Sequence, residues 1–226
     1  MDVPHPPPAP GGGETPSGVD RYPVTLALDG VACLVVGGGP VARRKVEGLL
    51  PCGAAVTVVA PDLDPGLEEL AAAGRITVVR RRYRSGDVTG YRLVFAATGD
   101  RGVDRAASGE ADAAGVWVNS ADDPEGCTFT LPAVARRGPI TVAVSTGGQS
   151  PAMAGWLRRR FEAELGPEYL QLLQLLREAR ANIKGEGRPT EGLDWLAALD
   201  SNMLDLIRAG QIGKARERLQ ACLSSS

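Results

Sequence analysis

The sequence predicts an α/β protein: a doubly wound parallel sheet first, then a small α+β region, then a helical C-terminal segment. Three observations carry this. Short β-branched runs alternate with helical stretches from about residue 21 to residue 119, the rhythm of βαβ units and parallel pairing. That rhythm breaks after residue 124, where β-rich runs follow one another with no room for a crossover helix. Beyond residue 150 the pattern is helical only. The first strand also ends in three glycines and passes directly into a helix, Gly37-x-Gly39-x-x-Ala42. That is the layout of a Rossmann phosphate-binding turn.

The elements follow in order. Residues 1–20 read as a disordered tail, because Pro4, Pro6, Pro7, Pro8, Pro10 and Gly11 to Gly13 leave nothing to bury. Residues 31–36 form a buried strand, and 40–52 a helix whose Arg43, Arg44 and Lys45 make a basic side. Gly53 stops that helix. Strands are expected at 55–60, closed by Pro61, and at 76–79, 92–97 and 116–119. Helices fall at 66–73 and 102–114. Next come strands at 128–131 and 140–144, joined by 135–139 and paired antiparallel outside the nucleotide domain. Ser150 caps a helix with Pro151 at its first position, running to about Leu165 before Gly166-Pro167. A second helix is predicted at 168–183, and two or three short ones between 193 and 223.

Composition narrows function. Net charge is −2 and aromatic residues make up 4%, which argues against a nucleic-acid surface or an anionic membrane surface. No apolar run reaches the ~18 residues a bilayer span needs, and the N-terminus lacks a signal-peptide pattern. A cytoplasmic protein is expected. The four cysteines are scattered and the only histidine, His5, lies in the tail, so a zinc site or disulfide framework is not expected.

In an open α/β sheet, ligands bind beyond the carboxyl ends of the strands. Gly37, Gly38 and Gly39, with Pro40 and Val41 opening the helix, would receive a dinucleotide diphosphate on main-chain N–H groups at the positive end of the helix dipole. Pro61 and Asp62 follow the second strand near the usual ribose-binding acid, which Asp62 reaches slightly late. NAD over NADP is therefore open here, with Arg43 or Arg75 available in principle to a 2′-phosphate. Thr98 and Asn119, at the ends of the fourth and fifth strands, suit a ribose or carboxamide; strand-end turn chemistry explains them equally. Without a usable histidine, proton transfer falls to another group, and Asp122 is the favoured carboxylate, with Asp123 its confounder. The loop holding Ser145, Thr146, Gly147 and Ser150 opens a helix, so it suits either an anionic group or a simple cap. Arginines recur at 80–82 with Arg84, at 136–137 and at 158–160; a solvated face is their usual meaning.

Taken together, these motifs resemble the precorrin-2 dehydrogenase and sirohydrochlorin ferrochelatase family, the N-terminal module of siroheme synthase. The matching pieces are Tyr22-Pro23-Val24 with Leu28, Gly37-Gly38-Gly39-x-Val41-Ala42-x-Arg44-Lys45, Gly53-Ala54-x-Val56-Thr57-Val58, Ala96-Ala97-Thr98, Asn119-x-x-Asp122, Phe129-x-x-Pro132-Ala133 and Ser145-x-Gly147-Gly148-x-Ser150-Pro151. The resemblance implies NAD-dependent oxidation of precorrin-2 to sirohydrochlorin, with Asp122 catalytic, and Fe²⁺ insertion in bifunctional members. It implies a homodimer, an NAD-binding domain over 21–131, a dimerisation region over 132–165 and a helical domain over 166–226. The eight carboxylates of precorrin-2 give the arginine clusters a purpose, and Ser145, Thr146, Gly147 and Ser150 fall to the substrate. A non-catalytic NAD sensor and a ferrochelatase without redox activity stay open as alternatives.

Overall fold

The computed structural model describes residues 21–200 and 202–224; the predicted tail and His5 lie outside them. The chain divides between Leu131 and Pro132 into two compact units.

The first unit is a five-stranded parallel sheet in the order β3-β2-β1-β4-β5. Its strands are β1 (Ala32–Val36), β2 (Ala55–Val59), β3 (Thr77–Val79), β4 (Leu93–Ala96) and β5 (Trp117–Ser120). Cys33, Leu34, Val35 and Val36 of β1 are fully buried, as a central strand covered on both faces must be. Burial pushes the Cys33 thiol up to about 11, with Cys52 nearby adding to it, so Cys33 is an unreactive core residue.

Alternation along the strands sends residues to two cores. Cys33, Val35, Val58 and Phe95 pack with Ala42, Val46 and Leu49 of α1 (Pro40–Leu49) and with Leu67 of α2 (Pro65–Ala72). Leu34, Val36, Val94 and Val118 pack with Ala107 and Ala111 of α3 (Arg101–Ala113). The helix expected at 40–52 ends earlier, at Leu49, and Leu50–Cys52 tightens into a 3₁₀ turn. Pro51 has no N–H to continue the α-helical ladder. Gly53 then takes φ 76°, the left-handed conformation that ends the segment.

The second unit begins with an antiparallel pair, β6 (Ala133–Arg137) and β7 (Ile140–Val144). This corrects the expected strand at 128–131. That segment runs beside β5 instead: Thr128 Oγ1 accepts from Val118 N at 2.7 Å, and Val118 O accepts from Thr128 N at 2.9 Å. The residues read as a five-residue connection are largely strand, and only Gly138 and Pro139 separate Arg137 from its partner Ile140. Gly138, at φ 55°, makes that tight turn possible. Helix α4 (Pro151–Glu164) covers the hairpin. The remaining helices are α5 (Glu168–Gly185), α6 (Trp195–Asp200), α7 (Met203–Arg208) and α8 (Ile212–Ser224). They share a core of Leu172, Leu175, Met203, Ile207 and Leu219. Among the described residues, no helix is long and apolar enough to cross a membrane.

Candidate dinucleotide and proton-transfer site

Each glycine after β1 has its own reason. Gly37 takes φ 121°, and a Cβ there would stand 2.2 Å from Ala97 O. At Gly38 a Cβ would stand 1.9 Å from Asp62 O. Main-chain bonds complete the junction: Gly37 N donates to Val59 O at 2.9 Å and Asp64 N to Gly38 O at 2.7 Å. Gly37 and Gly38 are therefore demanded by the protein's own packing. Gly39 is not: nothing lies within 4 Å of a Cβ built on it. It stands at the N-cap of α1, where no side chain caps the helix and no acid occupies the first turn. Pro40 brings no donor, and Arg43 N, bonded to Gly39 O at 3.0 Å, makes the first turn's closing bond. The N–H groups of Val41 and Ala42 precede it. Open space above main-chain donors at a positive helix end fits a diphosphate.

Pro61 and Asp62 are exposed beside this turn, with the Asp62 carbonyl against Gly38. Asp64 caps α2 through Gly66 N and also accepts from Arg43 Nη1 at 3.0 Å, while Glu47 lies 3.3 Å from Arg43 Nε. Arg43 is thus held between two acids. Arg75 lines a hollow of about 490 Å³ with Ala55, Thr77 and Tyr91 at the amino ends of β1–β3, away from the glycine turn. Two arginines of the cluster after β3 are paired as well: Arg80 binds Glu68 through two bonds, and Arg81 binds Asp87 through two more.

Thr98 donates its hydroxyl to Asp104 Oδ1 at 2.7 Å, and its N–H reaches the same oxygen at 3.0 Å. Asp104 is 1% exposed, and its Oδ2 has no hydrogen-bond partner. Sequence reading passed over Asp104; its position in a helix's first turn gave no reason to expect burial.

Asn119 is also engaged. Its Oδ1 accepts from Lys45 Nζ at 2.9 Å, and its Nδ2 donates to Phe129 O at 3.1 Å. After Ser120 the chain leaves the sheet and returns at Cys127, whose buried sulfur receives Ser120 N at 3.1 Å and lies 3.3 Å from both Ser120 O and Asp123 O. Asp122 and Asp123 ride on this excursion. Asp123 Oδ1 accepts from Gly126 N at 3.3 Å, and Arg105 lies 3.8 Å from its other oxygen. Asp122 is exposed, and among the described residues no hydrogen bond or ion pair reaches its carboxylate. The two neighbours thus separate into a turn former and an unpartnered acid.

In the second unit, the loop before α4 bonds to itself. Ser145 Oγ accepts from Gly147 N, Thr146 Oγ1 from Ser150 N, and Ser150 Oγ from Met153 N, at 3.2, 3.0 and 3.2 Å. Gly147 and Gly148 take φ 61° and 84° to allow this turn.

The chain is similar in sequence and fold to known proteins. The NAD(P)-binding family matches residues 24–133, and the sirohaem biosynthesis protein central family matches residues 137–164. The siroheme synthase of Methylobacillus flagellatus is 38% identical over 211 residues, covering 91% of this chain and 44% of that protein. That of Thioalkalivibrio sulfidiphilus is 40% identical over 209 residues, covering 92% and 43%. The chain therefore spans less than half the length of these curated relatives. A solved structure of SirC, precorrin-2 dehydrogenase, superposes with a TM-score of 0.64 at 30% identity, covering 89% of this chain and 98% of that one. The fold, the glycine junction and these matches agree, and the chain belongs to the precorrin-2 dehydrogenase and siroheme synthase family.

Proposed function

We propose that this chain oxidises precorrin-2 to sirohydrochlorin in siroheme biosynthesis, with Asp122 as the general base. The observation that carries the reading is the unpartnered Asp122 carboxylate on a loop fastened at both ends to β5, at the carboxyl edge of the sheet that holds the uncapped α1. Losing two hydrogens from the macrocycle takes one hydride and one proton. NAD⁺, when bound, supplies the hydride acceptor. The main-chain donors at Gly39 to Ala42 hold its diphosphate, with Gly37, Gly38, Pro40 and Val41 shaping that end. Thr98 and Asn119 border the nicotinamide half. Asp122 accepts the proton from the substrate carbon framework, its oxygens uncommitted to any other group.

NAD rather than NADP is the cofactor in this reading. Asp62 stands beside the glycine turn with Pro61, where an acid suits a ribose 2′-hydroxyl and repels a 2′-phosphate. Arg43 is already held by Asp64 and Glu47.

Ser145, Thr146, Gly147 and Ser150 meet substrate carboxylates in this reading by exchanging the hydrogen bonds that close their loop on itself. Residues 132–165 form the contact between two copies of the chain. A lone two-stranded sheet is marginal by itself, and Met153, Trp156 and Phe161 on α4 are 53, 47 and 42% exposed. Trp156→Glu is expected to convert a dimer to monomer in sedimentation; a wild-type monomer ends that part of the reading. The unlinked thiols of Cys33, Cys52 and Cys127 suit a reducing cytoplasm.

Fe²⁺ insertion into sirohydrochlorin needs an acceptor for pyrrole N–H protons, and the same carboxylate can serve. Among the described residues, no group of three or more His, Cys, Asp and Glu side chains is placed to hold a metal ion.

The test mixes the full chain with precorrin-2 and NAD⁺ or NADP⁺ and follows reduced cofactor. NADH forms, NADPH forms more slowly, and Asp122→Ala lowers the rate at least about a hundredfold with NAD affinity unchanged. Cofactor binding without turnover in the wild type makes the protein a sensor. Metal insertion without NADH formation makes it a chelatase only. Full activity in Asp122→Ala removes Asp122 from the chemistry.

A further inference from the structure

Lys45 stands in a run of three basic residues, yet it does not face water as its neighbour Arg44 does. Its ammonium is half-buried under the carboxyl ends of β4 and β5, 2.9 Å from Asn119 Oδ1 and 5.9 Å from the centre of the Phe95 ring. Phe95 and Asn119 are register partners across β4 and β5. Phe95 in turn meets Phe129 edge-on, with ring centres 5.5 Å apart and planes at 87°. Phe129 O accepts the Asn119 amide. The four residues close a circuit: Lys45 to Asn119, Asn119 to the Phe129 carbonyl, the Phe129 ring to Phe95, and Phe95 back to Lys45.

This circuit braces both stems of the 121–126 excursion. Asn119 lies just before the excursion leaves the sheet, and Phe129 just after it returns. Cys127 fastens Ser120 between them.

We propose that Lys45 is a positioning residue for the reaction, fixing through Asn119 the base of the loop that carries Asp122. The proposal rests on the assignment of proton transfer to Asp122. A buried cation costs desolvation that an apolar side chain of equal length would avoid. Burial is indeed the largest influence on Lys45 and lowers its pKa. The return on that cost is a directional bond: the ammonium selects one orientation of the Asn119 amide, which then has Nδ2 turned to Phe129 O. With an apolar residue at position 45, Oδ1 loses its donor, and only the Nδ2 bonds to Phe129 O and Cys127 Sγ still hold that orientation. The excursion is then free to shift by fractions of an ångström, and proton transfer is sensitive to displacements of that size.

The experiment compares Lys45→Met, Lys45→Arg, Asn119→Ala and the Lys45→Met/Asn119→Ala double variant in the full chain with precorrin-2 and NAD⁺. Lys45→Met is expected to lower kcat about tenfold to a hundredfold, with NAD affinity and both KM values within about twofold. Lys45→Arg restores most of kcat, because its guanidinium still donates to Asn119. The double variant is no slower than Asn119→Ala alone, since both changes cut one path. Unchanged kcat in Lys45→Met overturns the proposal, as does an equal loss of NAD affinity or full additivity in the double variant. If the methionine variant does not fold, Lys45→Leu removes the donor with a smaller apolar side chain, and the same fall in kcat is expected of it. Asp122→Ala is measured beside them. Activity in that variant defeats the assignment of Asp122, whereas an inactive Asp122→Ala with a normal Lys45→Met defeats only the role given to Lys45.

Discussion

Helices α1 and α4 both begin after glycine-containing turns, and by dipole logic alone both invite an anion. Their first turns are built differently. At α1 the N-cap is Gly39, with no side chain on the first-turn amides and no atom near the space where a Cβ would go. At α4 the N-cap is Ser150, whose hydroxyl holds Met153 N, and Thr146 holds Ser150 N in turn. One helix start leaves donors for a ligand and the other satisfies its own. A helix dipole marks where an anion can be favoured; the cap decides whether the donors are free to receive it.

This contrast can be broken from either side. The largest expected effect is at α1. The Cβ of Gly39→Val meets no protein atom within 4 Å and its methyls crowd the proposed diphosphate space, so NAD affinity falls at least about tenfold, roughly 1.4 kcal/mol, while the melting temperature barely moves. Gly38→Ala is its counterpart: the new methyl collides with Asp62 O, and overpacking of this kind costs about 1–3 kcal/mol of stability. If Gly39→Val leaves affinity intact in calorimetric titration, the cofactor lies elsewhere. The smaller effect is at α4. Ser150→Ala removes the cap and costs about 1 kcal/mol of stability in denaturant unfolding, with NAD affinity unchanged. A larger loss in precorrin-2 affinity than in stability would show that the Ser150 hydroxyl also serves the substrate.

Much of this was readable from residue order. The parallel sheet followed from β-branched runs separated by helices, and its order placed the glycine turn at the crevice. The strand at 133–137 was missed because Ala133 and Ala135 are too small to give an alternating signal, and Arg136-Arg137 reads as a connection. The tight turn at Gly138-Pro139 was hidden by the same misreading. At the site, the residue types were legible but their partners were not. The sequence favours Asp122 over Asp123 without giving a physical reason; one appears only when Gly126 and Arg105 are seen to engage Asp123. Lys45 read as part of a basic helix side, because its bond to Asn119 joins residues far apart in sequence. Arg43 looked available for a phosphate until Asp64 was found holding it.

The way Gly37 and Gly38 press against Ala97 and Asp62 has a further consequence. The glycine turn proposed to hold the diphosphate is assembled from the ends of β1, β2 and β4 at once, and β1 reaches β4 only after the chain has passed through β2 and β3. No partly folded fragment lacking one of those strands can present it. Cofactor will therefore protect the whole sheet against unfolding as a single unit, and hydrogen exchange in β1, β2 and β4 will slow together on binding.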